Sequence, residues 1–263
     1  MAGPGTAGSA LGRWYVAHGR HDLPWRHTRD RWTVLVSEVM LQQTPVARVL
    51  DAWPGFLARF PDPTTTAAAG PGAVIQGWGR LGYPRRARRL WESAVVIAAD
   101  GWPLDLTELP GVGRYTAAAI RAQVDDEDVP AVEVNIRRVL ERLSGARLGA
   151  TAAERASVAA DRRLHGRDRL LALMDLGAVV CRAREPRCGE CPLHRRCVTR
   201  GPLPGETRPR PGRFEGSFRQ RRGRVLAALR SGTRPTDELD PEALASLVAD
   251  GLATVTGPTA RLP

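Results

Sequence analysis

The chain contains no lysine; all 39 of its strongly basic residues are arginine. No side-chain amine is therefore available to form an imine, and only the terminal amine keeps that chemistry. Long apolar runs are missing too. No stretch reaches the roughly 18 apolar residues of a membrane-spanning helix. Residues 1–10, MAGPGTAGSA, have neither the basic start nor the apolar centre of a secretory leader. A soluble, cytoplasmic, monomeric protein without a membrane partner is expected. Sustained two-residue alternation and internal repeats are nearly absent, which argues against a β-rich or solenoid architecture.

Cysteine is scarce but concentrated. Only four occur in 263 residues, and Cys181, Cys188, Cys191 and Cys197 are spaced C-x6-C-x2-C-x5-C. Three readings fit four such residues. A [4Fe–4S] cluster needs four thiolates converging on one small object. Structural zinc takes four ligands as well, usually as two C-x2-C-like pairs around a longer loop. Two disulfides suit a secreted chain, which this does not resemble. Ligand chemistry and compartment favour the cluster.

The formal net charge is +11 and the pI about 11.0, so a polyanion, first of all nucleic acid, is the natural partner. A bias toward arginine codons would raise the charge without any ligand, so charge alone does not decide. Residues 1–12 are small and polar and are expected to be disordered. From 13 to 200 the pattern is helical: Trp32, Leu35, Val36, Val39 and Met40 form one stripe, and Val46, Val49, Leu50 and Trp53 the next, after a Thr44 cap and a Pro45 start. Residues 201–213, GPLPGETRPRPGR, read as a linker. Beyond it, 214–263 forms a small basic module: helices over 217–230 and 240–250, then a hairpin over 252–262, a winged-helix-like order.

Three further segments carry chemistry. Leu109-Pro110-Gly111-Val112-Gly113 joins a turn to a helix opening at Tyr115, and its glycines allow a close backbone approach where free N–H groups suit a phosphate. Glu38, at the edge of an apolar helix stripe in Ser37-Glu38-Val39-Met40-Leu41-Gln42-Gln43-Thr44, is placed for partial desolvation, which raises a carboxyl pKa. Glu133 and Asn135 lie in Val132-Glu133-Val134-Asn135-Ile136-Arg137-Arg138-Val139, ahead of the next helix.

With the cysteine spacing, these segments resemble the endonuclease III/MutY branch of the helix-hairpin-helix DNA glycosylases. Ser37–Thr44 matches the MutY-type adenine glycosylase segment at every position. The resemblance covers about 13–200 strongly and the tail weakly, where it is to short actinobacterial forms. It implies an all-α fold: a six-helix barrel over about 27–133, an iron–sulfur cluster domain from 13–26 plus 134–200, and the small winged-helix-like module. It also implies a [4Fe–4S] cluster on the four cysteines and double-stranded DNA containing a mispaired adenine as partner. Glu38 is then general acid at adenine N7 and later general base for water. Glu133 stands where the family has an aspartate that stabilises the oxocarbenium-like sugar, and Asn135 orients it. This departure leaves a working variant, a slower enzyme of shifted substrate choice, or a dead paralogue, of which the first two are favoured. Tyr115 occupies the place of the Schiff-base lysine of bifunctional relatives, so the resemblance implies a monofunctional enzyme.

Around the flipped base, the resemblance assigns Trp25 and Arg26 of Leu23-Pro24-Trp25-Arg26 to the adenine pocket. It assigns Gln42, Gln43 and Thr44 to the minor groove, and Gly111 and Gly113 to phosphate. Tyr83 belongs to Gly82-Tyr83-Pro84, where Pro84 replaces a second, wedging tyrosine. The five arginines of 80–89 suit a phosphate-facing edge. Sixty-six residues after Cys197 are too few for the nudix-like domain that reads 8-oxoguanine in longer relatives. The alternatives are a thymine or uracil glycosylase acting on G mismatches, and a catalytically weak iron–sulfur DNA-binding paralogue.

Overall fold

Ser9 starts the first helix, its hydroxyl accepting the Gly12 N–H at 3.0 Å, and Leu11 is fully buried one turn in. Residues 6–12 are thus not disordered: a capped helix whose leucine enters a core is held in place. The structure, a computed structural model, describes residues 6–206 and 212–263; the expectation for residues 1–5 lies outside them. The helices are α1 (Ala10–His18), α2 (Arg31–Leu41), α3 (Val46–Arg59), α4 (Pro63–Gly77), α5 (Arg85–Asp100), α6 (Arg114–Val124), α7 (Val134–Ser144), α8 (Ala150–Ala160), α9 (Gly166–Asp175), α10 (Phe218–Arg230) and α11 (Pro241–Ala249). Among the described residues no helix is long and apolar enough to cross a membrane. The chain divides into two compact units, Met1–Val34 with Gly113–Arg208, and Leu35–Val112 with Pro209–Pro263.

In the first unit, Leu11, Tyr15, Ile136, Val139, Leu140, Leu173 and Leu176 share one core, against which Tyr115 and Cys181 pack. The expected linker is part of this unit at its start. Leu203 is buried, and Glu206 accepts from Arg142 Nη2 at 2.8 Å and Nε at 3.0 Å. Residues 207–211 lie outside the described residues.

In the second unit, the α2 stripe is buried as expected. The α3 stripe runs through Val49 to Phe56 and Phe60, with Leu50 exposed, because 3.6-residue spacing carries the apolar face to Phe56 and Trp78, whose rings meet edge-on. Thr44 is not the cap of α3. Pro45 takes that position without a side-chain bond, while the Thr44 hydroxyl accepts from Arg86 Nη2 at 2.9 Å.

The C-terminal module has the two helices and the hairpin, β2 (Thr254–Thr256) and β3 (Thr259–Arg261). It also has a third strand, β1 (Arg234–Pro235), giving the antiparallel order β1-β3-β2. Two residues, one of them proline, are too short to show alternation. The module seats on α5: Arg88 Nη1 donates to the Asp250 carbonyl at 2.9 Å, and a Cβ on Gly251 (φ 63°) would lie 1.1 Å from that nitrogen. Arg222 and Arg85 both pair with the Asp250 carboxylate, at 2.5 and 3.4 Å.

Candidate active site and cysteine centre

Leu109 to Val112 closes a tight turn, the Val112 N–H donating to the Leu109 carbonyl at 3.0 Å. The two glycines do different work. Gly111 has φ 83°, and a Cβ there would meet the Arg89 Cβ at 2.9 Å, so both conformation and space exclude a side chain. Gly113 has extended backbone and nothing within 4 Å of a Cβ. It is the N-cap of α6 without a side-chain bond, so the cap itself occupies none of the first N–H groups of that helix. That is the arrangement an anion needs. Tyr115 follows on α6, half-buried against the first unit's core.

Glu38 lies on α2 and is only 7 % exposed, a carboxyl almost removed from water within the buried helix. Glu133 caps α7: one carboxylate oxygen accepts the Ile136 N–H at 2.8 Å, and the other accepts Asn135 Nδ2 at 2.9 Å. Burial pushes the Glu133 pKa up, against the hydrogen bonds from Asn135 and Ile136 and the charge of Arg138. The oriented pair anticipated for Glu133 and Asn135 is therefore present. Arg138 holds it in turn, donating to Asn135 Oδ1 at 2.8 Å, the Gly177 carbonyl at 2.6 Å and the Cys181 carbonyl at 2.7 Å. At Gly177, inside a π turn over Leu176–Val180, a Cβ would fall 2.6 Å from the Asn135 carbonyl.

The residues assigned to DNA differ in exposure and in the partners they hold. Trp25 is buried. Arg26 is clamped on Asp175, Nη1 at 2.6 Å and Nη2 at 2.7 Å, and Asp175 also takes the Arg20 N–H and Nε. Burial raises the Asp175 pKa, but the Arg26 bonds and charge outweigh it and hold the carboxyl below its ordinary range. A guanidinium held this way is a structural strut, not a free donor to a base edge.

Thr44 is buried with Arg86. Gln43 is exposed in the left-handed region (φ 54°), at the tip of its loop. Gln42 is half-buried, its carbonyl bonded by Arg86. Tyr83 is 51 % exposed with φ 47°, the Arg86 guanidinium 5.4 Å from its ring. The arginine edge is divided: Arg86 is buried, while Arg85 and Arg88 bond the C-terminal module. Asp175 and Gly177 escaped the sequence reading, as did the bonding roles of Arg138 and Arg86. A lone aspartate in the apolar run Leu170–Val180 was the available signal, since buried carboxylates are paired.

All four cysteines are free thiols, which removes the disulfide reading. They line one small cavity with Arg142, Val180 and His194. Arg142 Nη1 approaches Cys181 Sγ at 3.5 Å, and the Arg200 N–H approaches Cys197 Sγ at 3.4 Å, both donors toward sulfur. Burial raises the Cys191 thiol to about 11, with the Leu193 N–H opposing. Among the described residues, no three His, Cys, Asp or Glu side chains stand close enough for a single ion. Tetrahedral zinc with Zn–S near 2.3 Å demands sulfurs roughly 3.8 Å apart. Four thiols gathered around one cavity are the donor set a [4Fe–4S] cluster takes. A cavity of about 610 Å³ between the start of α1 and Leu193 holds no predicted site residue.

Residues 36–159 match the family described as HhH-GPD superfamily base excision DNA repair protein. The chain is 45 % identical over 270 residues to the adenine DNA glycosylase of Mycolicibacterium smegmatis, covering 92 % of this chain and 91 % of that protein. A thermostable thymine-DNA glycosylase structure aligns with TM-score 0.65 at 28 % identity, over 74 % of this chain and 94 % of that one. An endonuclease III–DNA covalent intermediate aligns with TM-score 0.63 at 21 % identity, over 72 % and 92 %, and speaks for the fold. The chain belongs to the HhH-GPD superfamily of base excision DNA repair proteins. Within that superfamily its place is among the adenine DNA glycosylases.

Proposed function

We propose that the protein is a cytoplasmic, monofunctional DNA glycosylase that hydrolyses the N-glycosidic bond of adenine mispaired with 8-oxoguanine or guanine. The observation that carries this is Glu38, a buried carboxyl inside the segment Ser37–Thr44. As the neutral acid it gives its proton to adenine N7 while the C1′–N9 electron pair leaves with the base. The ionised Glu133, held by Asn135 and the Ile136 N–H, offsets the positive charge developing on the sugar. The Glu38 carboxylate then takes a proton from the water that attacks C1′, leaving an abasic site. The half-buried Tyr115 and the absence of lysine support hydrolysis without strand cleavage.

Cys181, Cys188, Cys191 and Cys197 would hold a [4Fe–4S] cluster. That group would supply no step of hydrolysis; it would hold in place the loop that carries Arg182 and Arg187. DNA is the partner, gripped at the open start of α6.

A second reading, removal of thymine or uracil from G mismatches, is favoured by the 28 % identity to the thymine-DNA glycosylase. Single-turnover base release from A·8-oxoG, A·G, T·G and U·G duplexes separates the two, with Glu38→Gln and a no-alkali control alongside. Alkali-dependent adenine release that Glu38→Gln lowers by about 10³-fold or more is expected, in line with loss of a general acid. Release from T·G or U·G alone would overturn the adenine reading.

A further inference from the structure

The chain has four phenylalanines. Phe56 and Phe60 are buried; Phe214 and Phe218, flanking the start of α10, are 52 % and 37 % exposed. Each ring carries a guanidinium, Arg219 at 5.3 Å from the Phe214 centroid and Arg221 at 5.0 Å from that of Phe218. The arginines of α10 fall into two sets. Arg221 is committed to Asp240 and Glu242, and Arg222 to Asp250. Arg219 and Arg224 are exposed and, among the described residues, form no ion pair; Arg219 reaches only the Gly212 carbonyl, at 3.4 Å.

Arg219 shares the outward face of α10 with Gly223 and Ala227, at i, i+4 and i+8, and Arg224 adjoins it. Gly223 weakens a helix interior, yet nothing lies within 4 Å of where its Cβ would stand. Among the described residues no neighbour requires that glycine. A partner backbone coming close to the helix would.

We propose that residues 213–224 form a second DNA-binding surface, in which Arg219 and Arg224 neutralise duplex phosphates while Phe214 and Phe218 pack on sugar and base edges. Free guanidinia bracketing a floor of small residues complement a sugar–phosphate backbone, and exposed aromatics interleaved with arginine suit groove or base contact. Glu215, the one acid in the segment, is occupied by Arg213 at 3.3 Å. The proposal rests on the protein's acting on DNA and adds a contact outside the hairpin.

The test uses the full chain with its cluster and fluorescence anisotropy of a 30-base-pair duplex carrying a non-cleavable 2′-fluoro-deoxyadenosine, over a salt series. Arg219→Ala/Arg224→Ala should weaken binding about 10-fold and make the salt slope shallower by about 2. Phe214→Ala/Phe218→Ala should weaken binding about 5-fold with the slope kept. Gly223→Ala should raise the melting temperature and yet weaken binding, opposite signs that a merely structural glycine would not give. Unaltered affinity and slope in both double variants, with native circular dichroism, would overturn the proposal. Adenine release by the wild type is measured alongside. If release is absent while the slope change remains, the enzymatic reading falls and this surface stands.

Discussion

Glu133 is one methylene longer than the aspartate that the resemblance implies at its position, and its surroundings show how the longer side chain is used. It folds back as the cap of α7, so both oxygens are engaged by Ile136 and Asn135. Because burial raises its pKa in the folded state, its protonated form is favoured by folding. That contribution to stability is full below the unfolded value near 4.5 and is lost as pH rises through the folded value. Catalysis needs the opposite form. The acid limb of the single-turnover pH–rate profile should therefore lie above the ordinary glutamate range, and Glu133→Gln should remove it together with most of the rate. A limb at or below 4.5 would assign the titration to another group. Glu133 was visible from the sequence as a departure; its capping role was not, because a cap is defined by where the next helix begins.

At the scale of elements, the loop that follows α2 is held by an arginine from α5. Arg86 donates to the carbonyls of Val39 (2.7 Å) and Met40 (3.0 Å), which end α2, and to Gly82 and Thr44. Burial lowers its pKa to about 10, which still leaves it charged at neutral pH. Those carbonyls have no helical partner without it. Arg86→Ala should cost about 3 kcal/mol, the scale of charged hydrogen bonds lost to buried acceptors, read by urea unfolding. Arg86→Lys should not restore it, since an ammonium cannot span five acceptors from one plane.

The hairpin glycines offer a paired contrast. Gly111→Ala should destabilise by about 1–2 kcal/mol through positive φ and the Arg89 clash. Gly113→Ala should leave the melting temperature near wild type and weaken DNA binding instead. Equal losses of stability in both would contradict the separate roles. Turn and helix start were legible from Leu109–Gly113 alone; which glycine serves the fold and which serves a ligand was not.

For the whole molecule, a net charge of +11 overstates the surface available to a polyanion. Arg26, Arg86, Arg138, Arg142, Arg167 and Arg169 are buried or nearly so, bonded to carbonyls or carboxylates. The salt dependence of duplex binding should therefore count only the exposed arginines that reach phosphate, at about 0.9 per phosphate contacted. Removing one partner of an interior pair carries a cost. Glu206→Ala leaves the Arg142 guanidinium buried beside Cys181 with its charge unmatched, and about 3 kcal/mol of stability should go with it. A melting temperature within 1–2 °C of wild type would place Glu206 among the dispensable surface acids.

The sequence by itself determined the helical class, the α2 stripe, the hairpin turn, the four gathered cysteines and the carboxylates Glu38 and Glu133, because each is a local pattern of spacing or residue type. The tertiary structure decided what spacing cannot encode. Arg26 closes on Asp175 across 149 positions, Thr44 joins Arg86 across 42, and Arg88 holds Asp250 across 162. Such pairs form only when distant segments pack together. A long flexible guanidinium looks the same in the sequence whether it faces water, a phosphate or a buried carbonyl, and only burial and the partner it meets tell these apart.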